Sequence, residues 1–200
     1  MSSALILKSS ILGDASQSTA LAERLGDRFR AEYGDDSVTV RDLAITPVDV
    51  LDGELMAALR GSVSEPTPAQ LEALALSDRL IDEIHAHDTL IVTAPMYNFN
   101  IPTQLKTWCD FIARAGLTFR YTENGPEGLI HGKRVFVITT RGGLHRNSET
   151  DLVTPYLTTF FGFLGMRDIE FIYAEGFGMG EEAVASAQAQ ASAEVDAVAL

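Results

Sequence analysis

Five short apolar runs divide the chain, and longer stretches with apolar residues every three or four positions lie between them. The short runs are typical of strands buried in a parallel sheet, and they lie at 4–7, 38–43, 90–94, 135–138 and 169–174. The longer stretches predict helices at 16–29, 54–59, 67–87, 103–115, 154–165 and 181–200. This alternation, without an internal repeat, predicts an α/β fold with one five-stranded, doubly wound parallel sheet and helices on both faces.

The third strand run ends in the loop around which the rest of the chain is organised. Pro95 has no N–H to donate to a sheet ladder, so the strand is expected to stop there. Met96, Tyr97, Asn98 and Phe99 follow it. Open α/β sheets bind their ligands at the carboxyl ends of central strands, so we expect this polar and aromatic loop to hold a flat aromatic cofactor.

Small polar residues follow the first strand run, and the next helix is expected to begin near Ser16. Hydroxyls and free backbone N–H groups at the start of a helix suit a phosphate, and this loop supplies them at Ser10, Ser16, Gln17 and Ser18. Helix capping alone is the alternative role for these serines. The loop has neither G-x-G-x-x-G nor G-x-x-x-x-G-K-[ST], which counts against a dinucleotide-type Rossmann site and against an NTPase.

The fourth strand run leads into another ligand-type loop, which carries Thr140, Arg141, Gly142 and Gly143. Paired glycines let the backbone pass close to a ligand, although a simple tight turn is the alternative. The missing glycine fingerprint favours the strand order 2-1-3-4-5, in which the first, third and fourth strands are neighbours. Their three loops then converge at one switch point, and a site for one phosphate and one planar ring describes FMN.

Residues 118–129 and 156–164 are aromatic-rich segments outside this predicted cleft. The first alternates and then reads Asn-Gly-Pro, which predicts a hairpin or an extended flap. Its aromatic residues suit a pocket wall or a subunit contact, and a merely structural hairpin is the alternative. The second is a helix that is apolar nearly all round, as expected of a helix that is deeply buried or lies at a subunit interface.

No metal site is expected. Cys109 is the only cysteine, so an intramolecular disulfide and a cysteine-based zinc site are excluded, and its expected place is the core. His85 and His87 are two residues apart on a predicted helix and so do not face each other. We expect both histidines at the surface.

Composition narrows the class of protein further. A net charge of −13 argues against nucleic-acid binding, because phosphate backbones require a basic face. A length of 200 residues suits one domain that spans 1–200. The N-terminal apolar run is too short for a signal peptide, and no run approaches the roughly 20 apolar residues of a membrane span. A cytoplasmic protein without a membrane partner is therefore expected.

Several segments together carry a resemblance to a known family, namely 7–10, 16–18, 94–100, 118–129 and 141–143. In this order and at these spacings the chain resembles, nearly end to end, the FMN-dependent NADH–azoreductases, which are flavodoxin-like quinone and azo-dye reductases. The resemblance implies that Ser10 and Ser16–Ser18 bind the FMN phosphate. It implies that Met96–Phe99 and Thr140–Gly143 contact the isoalloxazine ring. The family often has serine where Thr140 stands, which keeps the hydroxyl.

The same resemblance implies an enzyme that transfers two electrons from NADH to quinones and azo compounds by a ping-pong mechanism. It also implies a homodimer with active sites at the subunit interface. Because FMN carries the chemistry, the sequence requires no particular catalytic side chain. Tyr121, His145 and Phe163 are the pocket candidates, and Tyr121 and His145 are possible polarisers or proton sources.

Two other functions are left open by the residues themselves. A flavodoxin-type one-electron carrier would share the acidic charge and the FMN cradle but would need no substrate pocket. A non-catalytic interaction protein could use the same fold. The aromatic flap and the apolar helix favour the enzyme, because together they can roof a pocket across a dimer.

Overall fold

The computed structural model describes residues 2–200 of the chain. Its strands are Ala4–Lys8 (β1), Val38–Asp42 (β2), Thr89–Thr93 (β3), Phe119–Thr122 (β4), Gly125–Gly128 (β5), Arg134–Arg141 (β6) and Asp168–Glu175 (β7). Its α-helices are Gln17–Tyr33 (α1), Gly53–Leu59 (α2), Pro68–Ala86 (α3), Thr103–Ile112 (α4), Val153–Leu164 (α5) and Glu181–Ala197 (α6). Single turns of 3₁₀-helix lie at Gly13–Ala15 and Asp35–Ser37.

Five of the strands form one parallel sheet in the order β2-β1-β3-β6-β7. Because β6 and β7 correspond to the fourth and fifth predicted strand runs, the predicted order 2-1-3-4-5 is confirmed. The remaining strands, β4 and β5, pair in the antiparallel sense with Phe119 opposite Gly128. The predicted hairpin is therefore also confirmed.

Each face of the sheet builds its own apolar core, and the central strand β3 is buried along its whole length. Leu90 and Val92 face one core together with side chains from α3, α4 and α5. Ile91 points to the opposite face and joins a core formed with α1 and α6. Helices thus cover both faces, which explains why this strand reads as a continuous apolar run. No helix within residues 2–200 combines the length and the apolarity needed to cross a membrane.

The expected N-cap at Ser16 is present. Its hydroxyl accepts a hydrogen bond from the backbone N–H of Thr19 at 3.2 Å, and α1 begins at the next residue. A capping residue of this type satisfies one of the N–H groups that a helix start leaves without a partner. The cap also fixes the start of α1 directly after the loop that follows β1.

The expectations that Cys109 lies in the core and His85 at the surface are confirmed, whereas the surface expectation for His87 is wrong. Cys109 is fully buried, and burial raises the pKa of its thiol. His85 is exposed, but His87 is buried. Its Nδ1 lies 2.7 Å from the carbonyl oxygen of Glu83, and its Nε2 lies 2.8 Å from the hydroxyl of Thr39. His87 therefore bridges the end of α3 to the edge strand β2, a tertiary contact that helical periodicity does not encode.

The hairpin is attached to α5 by a close crossing of two backbones. A Cβ atom on Gly128 would lie 2.1 Å from the backbone nitrogen of Gly165. Just beyond the crossing, the N–H of Ile130 donates to the carbonyl of Leu164 at 2.9 Å. Gly165 itself has a φ of 103°, in the left-handed region that favours glycine. Only glycine at 128 therefore allows the hairpin to lie against the end of this helix.

We predict that Gly128→Ala lowers the free energy of unfolding by about 3 kcal/mol, because the added methyl overlaps backbone that has no rotamer with which to yield. Chemical denaturation measures the change. Gly162→Ala is the matched control on α5, since a Cβ there meets nothing within 4 Å. The control should be neutral or more stable by up to about 1 kcal/mol, as alanine is the better helix former. Equal stability of the Gly128→Ala variant and the parent would contradict the close crossing.

Candidate functional site

A cleft of about 230 Å³ opens at the carboxyl ends of β1, β3 and β6. The three predicted loops therefore converge as expected. The cleft is lined by Ser10, Leu12, Ala15, Ser16, Gln17, Pro95, Met96, Tyr97, Thr140, Arg141, Gly142 and Phe177. Eight of these are sequence-predicted site residues. Four other predicted residues, Ser18, Asn98, Phe99 and Gly143, belong to the same loops without lining the cleft itself.

The cleft exists because β1 and β3 separate while β3 and β6 stay paired. Pairing of β1 with β3 ends at Leu7 opposite Val92. Bonds to β6 continue on both sides of Pro95, where the N–H of Ala94 donates to Ile138 at 2.8 Å and the N–H of Met96 donates to Thr140 at 2.9 Å. The expectation that Pro95 stops the strand thus holds for the regular strand, which ends at Thr93, but the ladder towards β6 runs on to Met96.

A buried pair of hydroxyl residues closes the floor of this separation. The backbone N–H of Ser9 donates to the Thr93 hydroxyl at 2.7 Å, and the Ser9 hydroxyl donates to the Thr93 carbonyl at 2.5 Å. Both residues are fully buried. The Ser9 N–H and the Thr93 carbonyl therefore have hydrogen-bond partners although no sheet partner is left to them. The loops after β1 and β3 separate directly beyond this pair.

The start of α1 provides the polar end of the cleft. The hydroxyls of Ser16 and Ser18 lie 3.1 Å apart, and both side chains are buried. The hydroxyl of Ser10 lies 3.0 Å from the Tyr97 hydroxyl, which joins the first loop to the third-strand loop. The N-terminal end of a 17-residue helix carries partial positive charge. An anion such as phosphate is therefore favoured here even though the chain as a whole is acidic.

Residues 97–100 form a tight turn that displays Phe99. Tyr97 and Asn100 exchange backbone hydrogen bonds of 2.9 and 3.1 Å, and the two residues between them have φ values of 50° and 68°. Positive φ at both central positions is typical of a type I′ turn, which normally takes Asn-Gly. Asparagine tolerates this conformation, but phenylalanine at φ 68° stores strain of about 1–3 kcal/mol. The strained ring is half exposed and lies edge-on to His145, with centroids 5.7 Å apart.

The glycine pair forms the opposite wall, and its two members have different roles. A Cβ on Gly142 would have only the backbone nitrogen of Gly178 near it, at 4.0 Å, so this wall is open to a ligand. A Cβ on Gly143 would lie 2.9 Å from Nε2 of His145. The His145 imidazole thus packs directly on Gly143 and would have to shift for a larger residue, whereas Gly142 leaves room for a flat ring. The residues present fit a cofactor with one phosphate and one planar ring.

The side chain of Arg141 does not point into the cleft. Its guanidinium is fully buried and lies 2.8 Å from a carboxylate oxygen of Asp151 and 3.4 Å from one of Glu175. Burial alone would raise the pKa of Asp151, but the hydrogen bonds from Arg141 and Thr154 hold that pKa below its usual value. The charge of Arg141 is thus neutralised inside the protein, and its backbone carbonyl accepts hydrogen bonds from the N–H groups of Gly176 and Phe177.

Two of the pocket candidates lie in a different cavity. Tyr121 is 76% exposed, and its ring stands edge-on to Phe119, which packs in turn on Phe163 at 4.5 Å between centroids. Together they line a cavity of about 530 Å³ with Leu51, Met56, Leu59, Arg60, Asp110, Ala113 and Ala115. Among the described residues, no residue lines both this cavity and the 230 Å³ cleft. The third candidate, His145, packs against Phe99 and lies next to the cleft without lining it.

A larger depression of about 710 Å³ lies between α2 and α3, but its chemistry is wrong for an anionic cofactor. Its lining includes the carboxylates of Asp49, Asp52, Glu54 and Glu72 and the single cation Arg79. Negative charge on the walls repels a phosphate, whereas the smaller cleft offers hydroxyls and a helix N-terminus. Electrostatics therefore selects the smaller cleft.

Sequence reasoning missed two residues at the carboxyl end of β7, namely Glu175 as the last residue of the strand and Phe177 on the loop that follows it. Phe177 lines the cleft, and the Glu175 carboxylate accepts hydrogen bonds from the backbone N–H groups of His145 and Arg146. The available signal was position, because both residues lie at the carboxyl end of a parallel strand, as the three predicted loops do.

The sequence is similar to a known protein family and to several named proteins. The sequence profile of a family described as having a flavodoxin-like fold matches residues 2–199. The FMN-dependent NADH:quinone oxidoreductase of Escherichia coli strain K12 is 57% identical over 198 residues, which cover 99% of this chain and 98% of that protein. The protein of the same name from Shigella flexneri serotype 5b, strain 8401, is 56% identical over 198 residues, with the same coverage of both chains.

Solved structures share the fold at much lower sequence identity. An azoreductase from Bacillus anthracis str. Sterne matches with a TM-score of 0.85 at 24% identity, over 99% of this chain and 100% of that chain. An FMN-dependent NADH-azoreductase from Bacillus anthracis str. Ames Ancestor, solved in complex with FMN, matches with the same TM-score and identity over 98% of both chains.

We predict that Asn98→Ala weakens flavin binding about tenfold without unfolding the protein, because Asn98 lies exposed on the loop that is expected to contact the ligand. Alanine at this positive φ also costs about 1 kcal/mol of stability. Asn98→Gly is the matched control, since glycine keeps the turn and removes only the amide. Fluorescence titration with FMN should show the same loss for both variants. Normal affinity in the glycine variant would assign the effect to the turn instead of the amide.

Proposed function

The chain belongs to the flavodoxin-like family of the FMN-dependent NADH:quinone oxidoreductases, and from that premise we propose that it is itself such an enzyme, transferring two electrons from NADH to quinones and azo compounds. The observation that carries the proposal is 57% identity over 198 residues, which cover 99% of this chain and 98% of that relative. Quinones are the expected natural acceptors, since azo dyes are synthetic compounds.

The predicted residues fit FMN. Ser10 and residues 16–18 hold its phosphate, with hydroxyls and helix N–H groups in place of basic side chains. Residues 96–99 and 140–143 flank its ring, and Gly142 leaves the necessary space. When bound, FMN supplies the redox chemistry, accepting a hydride from reduced nicotinamide and passing two electrons to the acceptor.

The protein orients these partners and controls access to them. In the two ring loops, the backbone N–H groups of residues 98, 99, 142 and 143 donate to no described residue, so they can donate to the polar edge of a ring and favour negative charge on it. Phe99 and His145 pack edge to face beside the cleft and so connect two of its loops. His145 is held by the Thr150 hydroxyl, 2.7 Å from Nδ1, so Nε2 remains for a substrate. We assign His145 as the proton donor or polariser nearest the cleft.

A homodimer completes the pocket in this proposal. Tyr121 is 76% exposed at the tip of a hairpin that is fixed to α5, so its ring is offered outward. The cavity that it lines is separate from the cleft within one chain. Tyr121 and Phe163 can therefore serve as substrate-pocket residues if one subunit presents them to the cleft of its partner. NADH binds first and leaves as NAD⁺ before the acceptor enters, in a ping-pong order.

We further propose that residues 1–200 form a single domain, since both apolar cores lie against one sheet. A cytoplasmic location agrees with the use of NADH and with one buried, reduced thiol.

We predict that the purified protein reconstituted with FMN loses its visible flavin absorbance on anaerobic addition of one equivalent of NADH. Bleaching should occur in one two-electron step, and a quinone added afterwards should restore the oxidised spectrum. A one-electron carrier would stay oxidised in NADH, and protein that cannot retain FMN at all would favour a non-catalytic role. Either result would overturn the proposed function.

We predict that two inactive variants complement each other across the dimer. Asn98→Ala damages the cleft and Tyr121→Ala damages the donated aromatic wall, so each homodimer should lose most quinone reduction. Co-expression gives mixed dimers with one intact site each, and about a quarter of the parental activity should return if the wall comes from the partner. No recovery in mixed dimers, confirmed by mass spectrometry, would place Tyr121 in the cleft of its own chain.

A further inference from the structure

The structure assigns to Glu175 the position of the loop that forms one wall of the cleft. Glu175 is the last residue of β7, and its side chain is only 14% exposed. One carboxylate oxygen, Oε1, accepts from the backbone N–H of His145 at 2.7 Å and from that of Arg146 at 2.8 Å. Two consecutive N–H groups directed at one oxygen form an anion-binding nest within the protein itself.

The negative charge of Glu175 is paired with the buried cation of Arg141. Arg141, at the end of β6, donates from Nη1 to the same Oε1 of Glu175 at 3.4 Å and from Nη2 to Asp151 at 2.8 Å. The Arg141 side chain is fully buried, so its two carboxylate partners are required to satisfy it. The segment 142–151 is thus fastened at both ends, by Glu175 near its start and by Asp151 at its end.

The fastened segment carries the groups that face the cleft. His145 packs its Nε2 against Gly143 and meets the strained ring of Phe99 edge-on. The backbone carbonyl of Gly142 also accepts from the N–H of Gly178 at 2.8 Å, which ties the wall to the loop after β7. Contacts therefore connect three strand ends. Glu175 at the carboxyl end of β7 binds the backbone of His145 on the loop after β6, and His145 contacts Phe99 on the loop after β3.

Glu175 is a positioning residue in this inference, because it acts through His145 and touches no part of the ligand. The inference rests on the proposed function for its reference to FMN, but the anchoring of the loop can be measured without any cofactor. A general structural role for Glu175 would loosen β6, β7 and α5 together. A positioning role loosens residues 142–146 and changes the flavin site while the sheet stays intact.

Two variants of Glu175 separate the acceptor oxygen from its charge. Glu175→Ala removes the oxygen, and Glu175→Gln keeps an oxygen at the same reach but removes the charge. The matched control is Glu170→Ala on the same strand, where the carboxylate pairs with Arg134 at 3.2 Å and is 48% exposed. All three proteins are studied at full length, and the glutamine variant keeps the test possible if the alanine variant does not fold.

Amide hydrogen exchange of the cofactor-free proteins is the first readout. Exchange at His145 and Arg146 should be faster in Glu175→Ala and intermediate in Glu175→Gln, with β6 and β7 unchanged. FMN affinity and the rate of flavin reduction by NADH are the second readout, and both should fall about tenfold or more in Glu175→Ala, since small displacements of a reacting geometry are costly. Glu170→Ala should match the parent in every measurement.

Three outcomes have distinct meanings. Faster exchange confined to residues 142–146, with partial rescue by glutamine in both readouts, supports the inference. FMN affinity and reduction rate within twofold of the parent in Glu175→Ala, or exchange that accelerates equally across β6, β7 and α5, overturns it. A parent protein that binds no FMN refutes the proposed function, and exchange alone then decides whether Glu175 holds the loop.

Discussion

The whole site depends on the separation of β1 from β3 directly after their last paired residues. Ser9 and Thr93 satisfy each other at that point, so the backbone groups freed by the separation are buried without penalty. Pro95 has no N–H, and it leaves the ladder to β6 intact on either side. The central strand β3 therefore stays paired with β6 but separates from β1, and this is what creates a topological switch point here. The cleft forms because β3 loses its pairing with β1 and keeps its pairing with β6.

Charge explains how an acidic chain can hold an anionic cofactor. A net charge of −13 disfavours phosphate binding at long range, and within residues 2–200 no side-chain cation lines the polar end of the cleft formed by Ser10, Ser16 and Gln17. The attraction must come from helix N–H groups and hydroxyls, which act only over a few ångströms. The buried cation at residue 141 is neutralised by Asp151 and Glu175 instead. The Arg141 charge therefore holds parts of the protein together and does not attract the phosphate. Selectivity for the phosphate depends on the positions of the nearby N–H groups and hydroxyls.

Sequence patterns predicted the strand order, both sheet faces, the hairpin and the convergence of three loops, because each depends on local periodicity, turn residues or strand polarity. They do not give side-chain direction where it depends on a partner far along the chain. His87 was expected at the surface, but its ring is buried against Thr39 of β2. The Arg141 side chain turns inward to Asp151, which the sequence does not indicate, although the residue lines the cleft. Tyr121 lies in the predicted hairpin, but the sequence does not indicate that its ring lines the cavity of about 530 Å³ instead of the cleft.

The two walls of the cleft are maintained by different physics, and this bears on how the site could change. The wall at 97–100 stores strain, since Phe99 occupies a conformation suited to glycine and is retained for its exposed ring. The wall at 142–146 is held without positive φ at Gly142 or Gly143, by a carboxylate and by packing of His145. The edge contact of Phe99 with His145 joins the two. If residues 142–146 become looser, Phe99 also loses its contact with His145. Substitution of Glu175 should therefore also disturb the strained turn at 97–100, on the other side of the cleft.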